Sequence, residues 1–342
     1  GIPKPNIQMA TIAPPKPTGD EIAVGSSTAL ARVANQLAVF GHDEFRTFLG
    51  GMTAGPPDFP LVGNGKFHWI DIPEGPLLPE KNNIGAFFGH EVNCAPIPGA
   101  SDSTLCLFAY SDARATLARL RWDGKKFQTV WMGAAGEGTG DMTFVTDPTV
   151  SVVNGQTVIG ATIAFGVRNV NRVYTTLARV AVVETGEPTV AVKTIASRTW
   201  QSSENGNLST RPFTCRQQFC AYEIFKGGIR IDHHPAGDLS AEPPVDWSMV
   251  VPIKKYPIYT VDLVPVSGAV WMVWVEDKVL YARRVMYPAK LMGPLMRSVQ
   301  PITSWVMQPL SCVADGAFPV CATNTKRRAL IYRLDPDHLI PD

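Results

Sequence analysis

Long hydrophobic runs are missing from this chain: its 342 residues contain no uninterrupted stretch of 18 apolar side chains, which leaves no candidate for a membrane-spanning helix. An excess of charge of either sign is lacking too. Lys and Arg number 31 against 30 Asp and Glu, a formal net charge of +1; there is no basic field to hold a phosphate backbone, and nucleic acid is not an expected partner. No P-loop, no GxGxxG after a strand, no GxSxG elbow and no HExxH helix occurs, so no cofactor is expected. The cysteines never fall in the CxxC spacing of zinc ribbons and redox sites, and without it no metal is expected. Helical periodicity is scarce after residue 50. The first residue is Gly, with no charged segment and apolar run behind it, as expected of a chain processed or trimmed at that end.

What is present points to strands. The 29 Gly and 29 Pro are dispersed among many Val, Thr and Ile residues, and charged residues make up only 18%, a composition suited to short strands and tight turns. The length could hold two average domains, but all-β units often exceed 200 residues. A repeat decides between them. An arginine sits inside an apolar strand in "TLARLRW" (Arg119), "TLARVAV" (Arg179), "GGIRIDH" (Arg230), "LYARRVM" (Arg283) and "RALIYRLDPD" (Arg333), at intervals of 50 to 60 residues.

Aligned on that arginine, each unit reads as four strands, A to D. Strand A ends in a turn, with Asn154-Gly155, Ser267-Gly268 and Asp315-Gly316 as hairpin formers. Strand B follows, strand C carries the arginine, and D comes after a polar connection. Four-stranded meanders at this period predict an all-β fold, a β-propeller of antiparallel four-stranded blades. Five units occupy residues 58–342, and the fifth lacks its D strand. The segment "KFHWIDI", 66–72, is the expected closing strand, completing the last blade; six blades are the alternative, for which residues 1–65 show no second hairpin. Residues 1–57 are expected to form a proline-rich extended arm and a short amphipathic helix, with Leu30, Val33, Ala34 and Leu37 on one face. That arm could attach the protein to a larger assembly. The repeated arginines, on an outer strand, are expected to lay their stems between sheets and keep their guanidinium groups on water or a carboxylate.

The six cysteines form three close pairs. In "FTCRQQFCAY" a turn at Gln217-Gln218 places Cys215 opposite Cys220, and in "LSCVADGAFPVCAT" a turn at Gly316-Ala317 does the same for Cys312 and Cys321. Cys94 and Cys106 bracket a longer loop by the same logic. Facing cysteines across antiparallel strands have the separation a disulfide needs, so three local disulfides and an oxidising, extracellular or particle-surface location are expected.

Propellers gather ligand-binding groups at the mouth formed by the D-to-A and B-to-C connections. Those connections contain Trp200, Tyr256 and Trp305, which could stack on sugar rings, and Glu137, Asp141 and Arg211, which could hydrogen-bond them. The segment "TDPTV", with Asp147-Pro148, resembles the Asp-Pro element of five-bladed glycoside hydrolases of the arabinanase and invertase group. That resemblance implies carboxylates on the first three A strands, paired for glycoside hydrolysis. Glu91 in "GHEVNC" and Asp147 match the first two; the third strand, "RPFTCRQ", has no acid, and Glu204 lies several residues upstream. The repeated Ser-x-Asp boxes of sialidases are absent. Asp232 and the pair His233-His234 read as residues of the far face, His233 and His234 as surface groups pointing to opposite sides of a strand. Asn207 in "NLS" is a glycosylation sequon. The expectation is a non-catalytic secreted or particle-surface propeller, a description that a viral or phage surface component would fit, that binds a carbohydrate or protein receptor; the competing class is an extracellular glycosidase.

Overall fold

The computed structural model describes residues 7–12, 27–42, 47–52, 68–70, 91–109, 115–125, 127–136, 143–153, 155–167, 170–183, 189–201, 213–224, 227–235, 244–255, 258, 260–276, 279–298, 310–325, 328–337 and 339–342. They are strands joined by turns. β1 is Ile7–Ile12. The first sheet holds β2 (Ser27–Val33), β3 (Gln36–His42), β4 (Thr47–Met52) and β5 (His68–Ile70). The second holds β6 (Glu91–Ile97), β7 (Ala100–Ala109), β8 (Ala115–Trp122) and β9 (Phe127–Gly136). In the third are β10 (Thr143–Val153), β11 (Gln156–Val167), β12 (Val170–Val183) and β13 (Thr189–Gln201), and in the fourth β14 (Phe213–Arg216), β15 (Phe219–Ile224), β16 (Gly228–His233) and β17 (Trp247–Val251). The fifth has β18 (Val261–Val266), β19 (Ala269–Glu276), β20 (Val279–Met286) and β21 (Leu291–Ser298). Then come β22 (Ser311–Asp315), β23 (Phe318–Thr325) and β24 (Arg328–Arg333) of the sixth sheet, and β25 (Leu339–Pro341), which is added to the outer edge of the fifth.

Every sheet is an antiparallel meander, and the first strand of each is its inner one. These strands touch in cyclic order, β2 to β6, β10, β14, β18, β22 and back to β2. The chain is therefore a β-propeller, and its described residues make six sheets around a central channel. The expected A-to-D order holds in each repeat, and the arginines at 119, 179, 230, 283 and 333 all lie on third strands, β8, β12, β16, β20 and β24.

Three expectations for the N-terminal region are corrected. β5 does not complete the last blade: Thr47 pairs with Ile70 and Leu49 with His68, so it is the outer strand of the first sheet. The strand beside β24 is β1, with Ile7 opposite Tyr332 and Gln8 opposite Ile331. The expected arm thus supplies the closing strand, and five units become six sheets. The expected helix is the β2–β3 hairpin, with Val33 opposite Gln36 and Leu30 opposite Val39. The physical reason is burial on both faces. Ala29, Leu30, Ala31 and Val33 are all at most 1% exposed, so no polar face marks the period of two, and apolar spacing alone cannot tell strand from helix. The turn also hides itself, because Ala34 and Asn35 take φ of 51° and 59° with no glycine to announce it.

Between sheets the apolar faces interlock. Phe40 and Val33 of the first sheet pack with Cys106 and Leu120 of the second; Ile229, Ile231 and Trp247 of the fourth pack with Leu263, Met272 and Trp274 of the fifth. Trp271 and Val273 meet Cys312, Cys321 and Tyr332 across the fifth and sixth. Among the described residues no helix is long and apolar enough to cross a membrane.

Candidate functional site

An inner strand leaves one edge without a sheet partner, and its N–H and C=O groups must be satisfied some other way. Here short polar side chains on, or just before, the inner strand of the preceding sheet do it. Ser311 Oγ accepts from Leu30 N at 2.9 Å, and Thr260 Oγ1 accepts from Leu310 N at 2.9 Å. Thr149 Oγ1 accepts from Cys215 N at 2.9 Å and donates to the Cys215 carbonyl. All three side chains are buried. The ring is thus stitched at its axis by hydrogen bonds and held outside it by apolar packing.

One charged pair lies at the same level. Arg216, the last residue of β14, reaches into the channel, where its Nε and Nη2 donate to Asp262 Oδ1 and Oδ2 of β18 at 2.9 and 2.8 Å. Its Nη1 donates to Asn93 Oδ1 and, at 3.2 Å, to the Cys94 carbonyl, both on β6. Asp262 also accepts from Cys312 N at 2.7 Å, Leu263 N at 2.8 Å and Thr214 Oγ1 at 3.3 Å. Arg216 is 8% and Asp262 1% exposed. Desolvating two charges is costly, and only this bidentate geometry with every remaining lone pair engaged offsets it. The pair spans β6, β14, β18 and β22.

Toward the A-to-B turns the channel opens into a cavity of about 540 Å³. All six inner strands contribute to it. Its walls include Val152, Val153, Pro96, Pro265 and Val313; Arg216 lies at the inner end, and Arg32 and Gln217 also line it. Arg32 is itself held, donating from Nε to the Ala314 carbonyl at 2.8 Å and from Nη2 to Asp315 Oδ1, while Arg333 Nη2 donates to Asp315 Oδ2 at 3.1 Å. Arg333 therefore answers to a carboxylate of its own sheet. Arg230 behaves likewise, with Nε 2.6 Å from Asp232 Oδ1, a bond that raises the guanidinium pKa.

Near this end His233 is a correction. Expected at the surface, it has a side chain only 6% exposed, with Nδ1 2.7 Å from Asp246 Oδ1 and Nε2 3.3 Å from Gln218 Oε1. The Tyr287 ring lies 4.3 Å from its centroid and the Phe219 ring 4.8 Å. Its place at the end of β16, where the next sheet covers it, buries one of the two histidines.

The three expected disulfides are present: Cys94–Cys106, Cys215–Cys220 and Cys312–Cys321, with Cα separations of 4.1, 4.1 and 4.0 Å. Each joins facing residues of the first two strands of its sheet, and they occupy the second, fourth and sixth sheets.

Of the residues expected at the D-to-A mouth, Glu137, Asp141, Glu204, Arg211, Tyr256 and Trp305 lie outside the described residues, as does Asn207. Trp200 stands on the outer strand β13, opposite Val173. Glu91 begins β6, opposite Ala109. Asp147 falls where β10 breaks register, between Thr146 and Thr149. Asn93, Thr149, Arg216 and Asp262 were not among the expected site residues. A signal existed for two of them: Arg216 and Asp262 are charges in apolar inner strands, "FTCR" and "VDLVPV".

No family model matches the chain, and no curated protein matches it in sequence. Solved structures do resemble it in shape. A mutant of AofleA from Arthrobotrys oligospora superposes with a TM-score of 0.51 at 9% identity, over 94% of this chain and 87% of the other. The Malassezia sympodialis allergen Mala s 1 gives 0.47 at 10% identity over 92% and 93%. The WD40 domain of Toxoplasma gondii coronin gives 0.46 at 9% identity over 98% and 86%. The first of these is a likeness of fold alone.

Proposed function

We propose that this protein is a non-catalytic recognition propeller, secreted or carried on a particle such as a virus or phage, that binds a carbohydrate or protein receptor at its D-to-A mouth. The supporting observation is the ring itself. Six inner strands follow one another around a ring, and propeller ligands bind where the loops at one end of such a ring gather. Glu137, Asp141, Trp200, Arg211, Tyr256 and Trp305 are the residues proposed to line it. Three disulfides favour an oxidising compartment. The test is a glycan array probed with the full chain, in parallel with a panel of chromogenic glycosides. Retention of a glycan, weakened by Trp200→Ala or Arg211→Ala and without turnover of any glycoside, is the expected result.

One observation favours a second reading. Glu91 and Asp147 both stand toward the D-to-A ends of adjacent inner strands, β6 and β10, and two neighbouring carboxylates are what glycoside hydrolysis needs. Against it, the first sheet's inner strand, Ser27–Val33, and the fourth's, Phe213–Arg216, carry no acid. Turnover abolished by Glu91→Gln or Asp147→Asn would replace the binding reading with this one.

A further inference from the structure

The A-to-B end of the channel is a second site, separate from the receptor mouth proposed above. Its cavity of about 540 Å³ has room for about 18 waters at ~30 Å³ each. From Val150 to Val153 one wall runs three residue steps, about 10 Å at ~3.3 Å per residue, deeper and wider than one inserted side chain would fill. Its walls there are Val152, Val153, Val313, Pro96 and Pro265. The two prolines, within β6 and β18, also remove N–H donors from the inner edges.

The charges on its boundary are already matched. Arg216 is engaged by Asp262, and Arg32 by Asp315, so neither an anion nor a cation would meet an uncompensated partner. Ser151 Oγ is committed, accepting from Gln217 N at 3.0 Å and donating to the Cys215 carbonyl at 3.4 Å. The exposed Gln217 side chain is left at the rim to hydrogen-bond an entrant.

We propose that this pocket binds a small uncharged molecule, an apolar body of one or two rings bearing a single hydroxyl, amine or carbonyl group. The body displaces water from the valine and proline walls, and the polar group meets Gln217 at the rim. Walls drawn from six strands and cancelled charge distinguish it from a saccharide site, which needs several free hydrogen-bonding groups.

The test uses the full oxidised chain and N-phenyl-1-naphthylamine, an uncharged fluorophore. Saturable binding at one site per chain is expected, with 1-naphthol displacing it at least tenfold better than 1-naphthalenesulfonate. Val152→Trp and Val313→Trp, which fill the pocket, should each weaken binding at least tenfold. Val152→Leu and Val313→Leu, which only trim it and spare the fold, should weaken it about threefold. Val130→Trp, on the outer strand β9 and 44% exposed, should leave it unchanged. Non-saturable binding, equal affinity in the pocket variants, or preference for the sulfonate would overturn the proposal. Glycan retention at the other mouth is read separately and should be untouched by Val152→Leu, so the two readings fail independently.

Discussion

At the residue scale the decisive contacts are polar ones placed where a strand runs out of partners. Asp262 shows why: a carboxylate there satisfies Cys312 N on the next sheet and Leu263 N on its own strand while holding Arg216 of the preceding inner strand. Removing one partner leaves a buried charge alone. Arg216→Met or Asp262→Leu should each cost about 3–5 kcal/mol, and the double variant should recover only part of it: the lone buried charge is gone, but Cys312 N and Leu263 N still lack their acceptor. Urea denaturation of the four proteins of this cycle measures the coupling. Tyr332 makes a pH prediction. It is fully buried, and desolvation pushes its phenol above the ordinary value near 10; burial raises Tyr281 and Tyr287 in the same sense. Stability from Tyr332 is whole below pH ~10 and is lost above it, at up to about 1.4 kcal/mol per pH unit, as the unfolded phenol ionises first. Tyr332→Phe should flatten the fall in denaturation midpoint between pH 9 and 11. Arg216 and Asp262 were legible in principle, as charges in apolar strands, by the same reasoning that picked out Arg333. Their pairing was not, since the two sit 46 positions apart on different sheets.

At the scale of the element, turns carried the sequence signal. Gly155, Gly268 and Gly316 take φ of 73°, 69° and 64° at the hairpins expected from their dipeptides. The reading failed at Ala34-Asn35, a turn with neither glycine nor a cysteine pair to mark it, and held at Gln217-Gln218, where the facing cysteines took the place of glycine as the signal. β1 had a signal as well. "IQMATI" sets apolar Ile7 and Met9 around Gln8, and its flanking prolines mark the ends of an edge strand as readily as they mark an arm. Gly228 is a position where only glycine fits: its φ is 114°, and a Cβ would collide with the Val251 carbonyl of the neighbouring strand. Gly228→Ala should therefore cost on the order of 1–3 kcal/mol, against almost nothing at a permissive glycine, a difference that thermal melts resolve. The disulfides close loops of 12, 5 and 9 residues, each contributing about 2–3 kcal/mol by loop entropy. Non-reducing peptide mapping should return those three links and no others. Reduction should lower the melting midpoint while far-ultraviolet circular dichroism at 25 °C stays unchanged, because the sheets still bury their apolar faces against one another.

For the whole molecule, the repeat specified the class and the order of strands, and it miscounted by one sheet. The miscount has a single cause. The first sheet carries no arginine on its third strand, Thr47–Met52, and its inner hairpin is buried on both faces, so the feature that aligned the other units is absent from it. Moving the closing strand from 66–72 to 7–12 reverses a consequence: residues expected to form an arm for attachment to a larger assembly become the ones that tie the two ends of the ring together. Strand closure of this kind covers the edge of β24 and the apolar faces behind it, which otherwise would be open to aggregation. The most direct measurement is thermal unfolding of the chain lacking residues 1–12, followed by circular dichroism and light scattering beside the full chain. Closure by β1 predicts a midpoint lower by at least about 4 °C, the shift that roughly 3 kcal/mol makes at this size, with aggregation on heating; an unchanged midpoint and a single cooperative transition would contradict it.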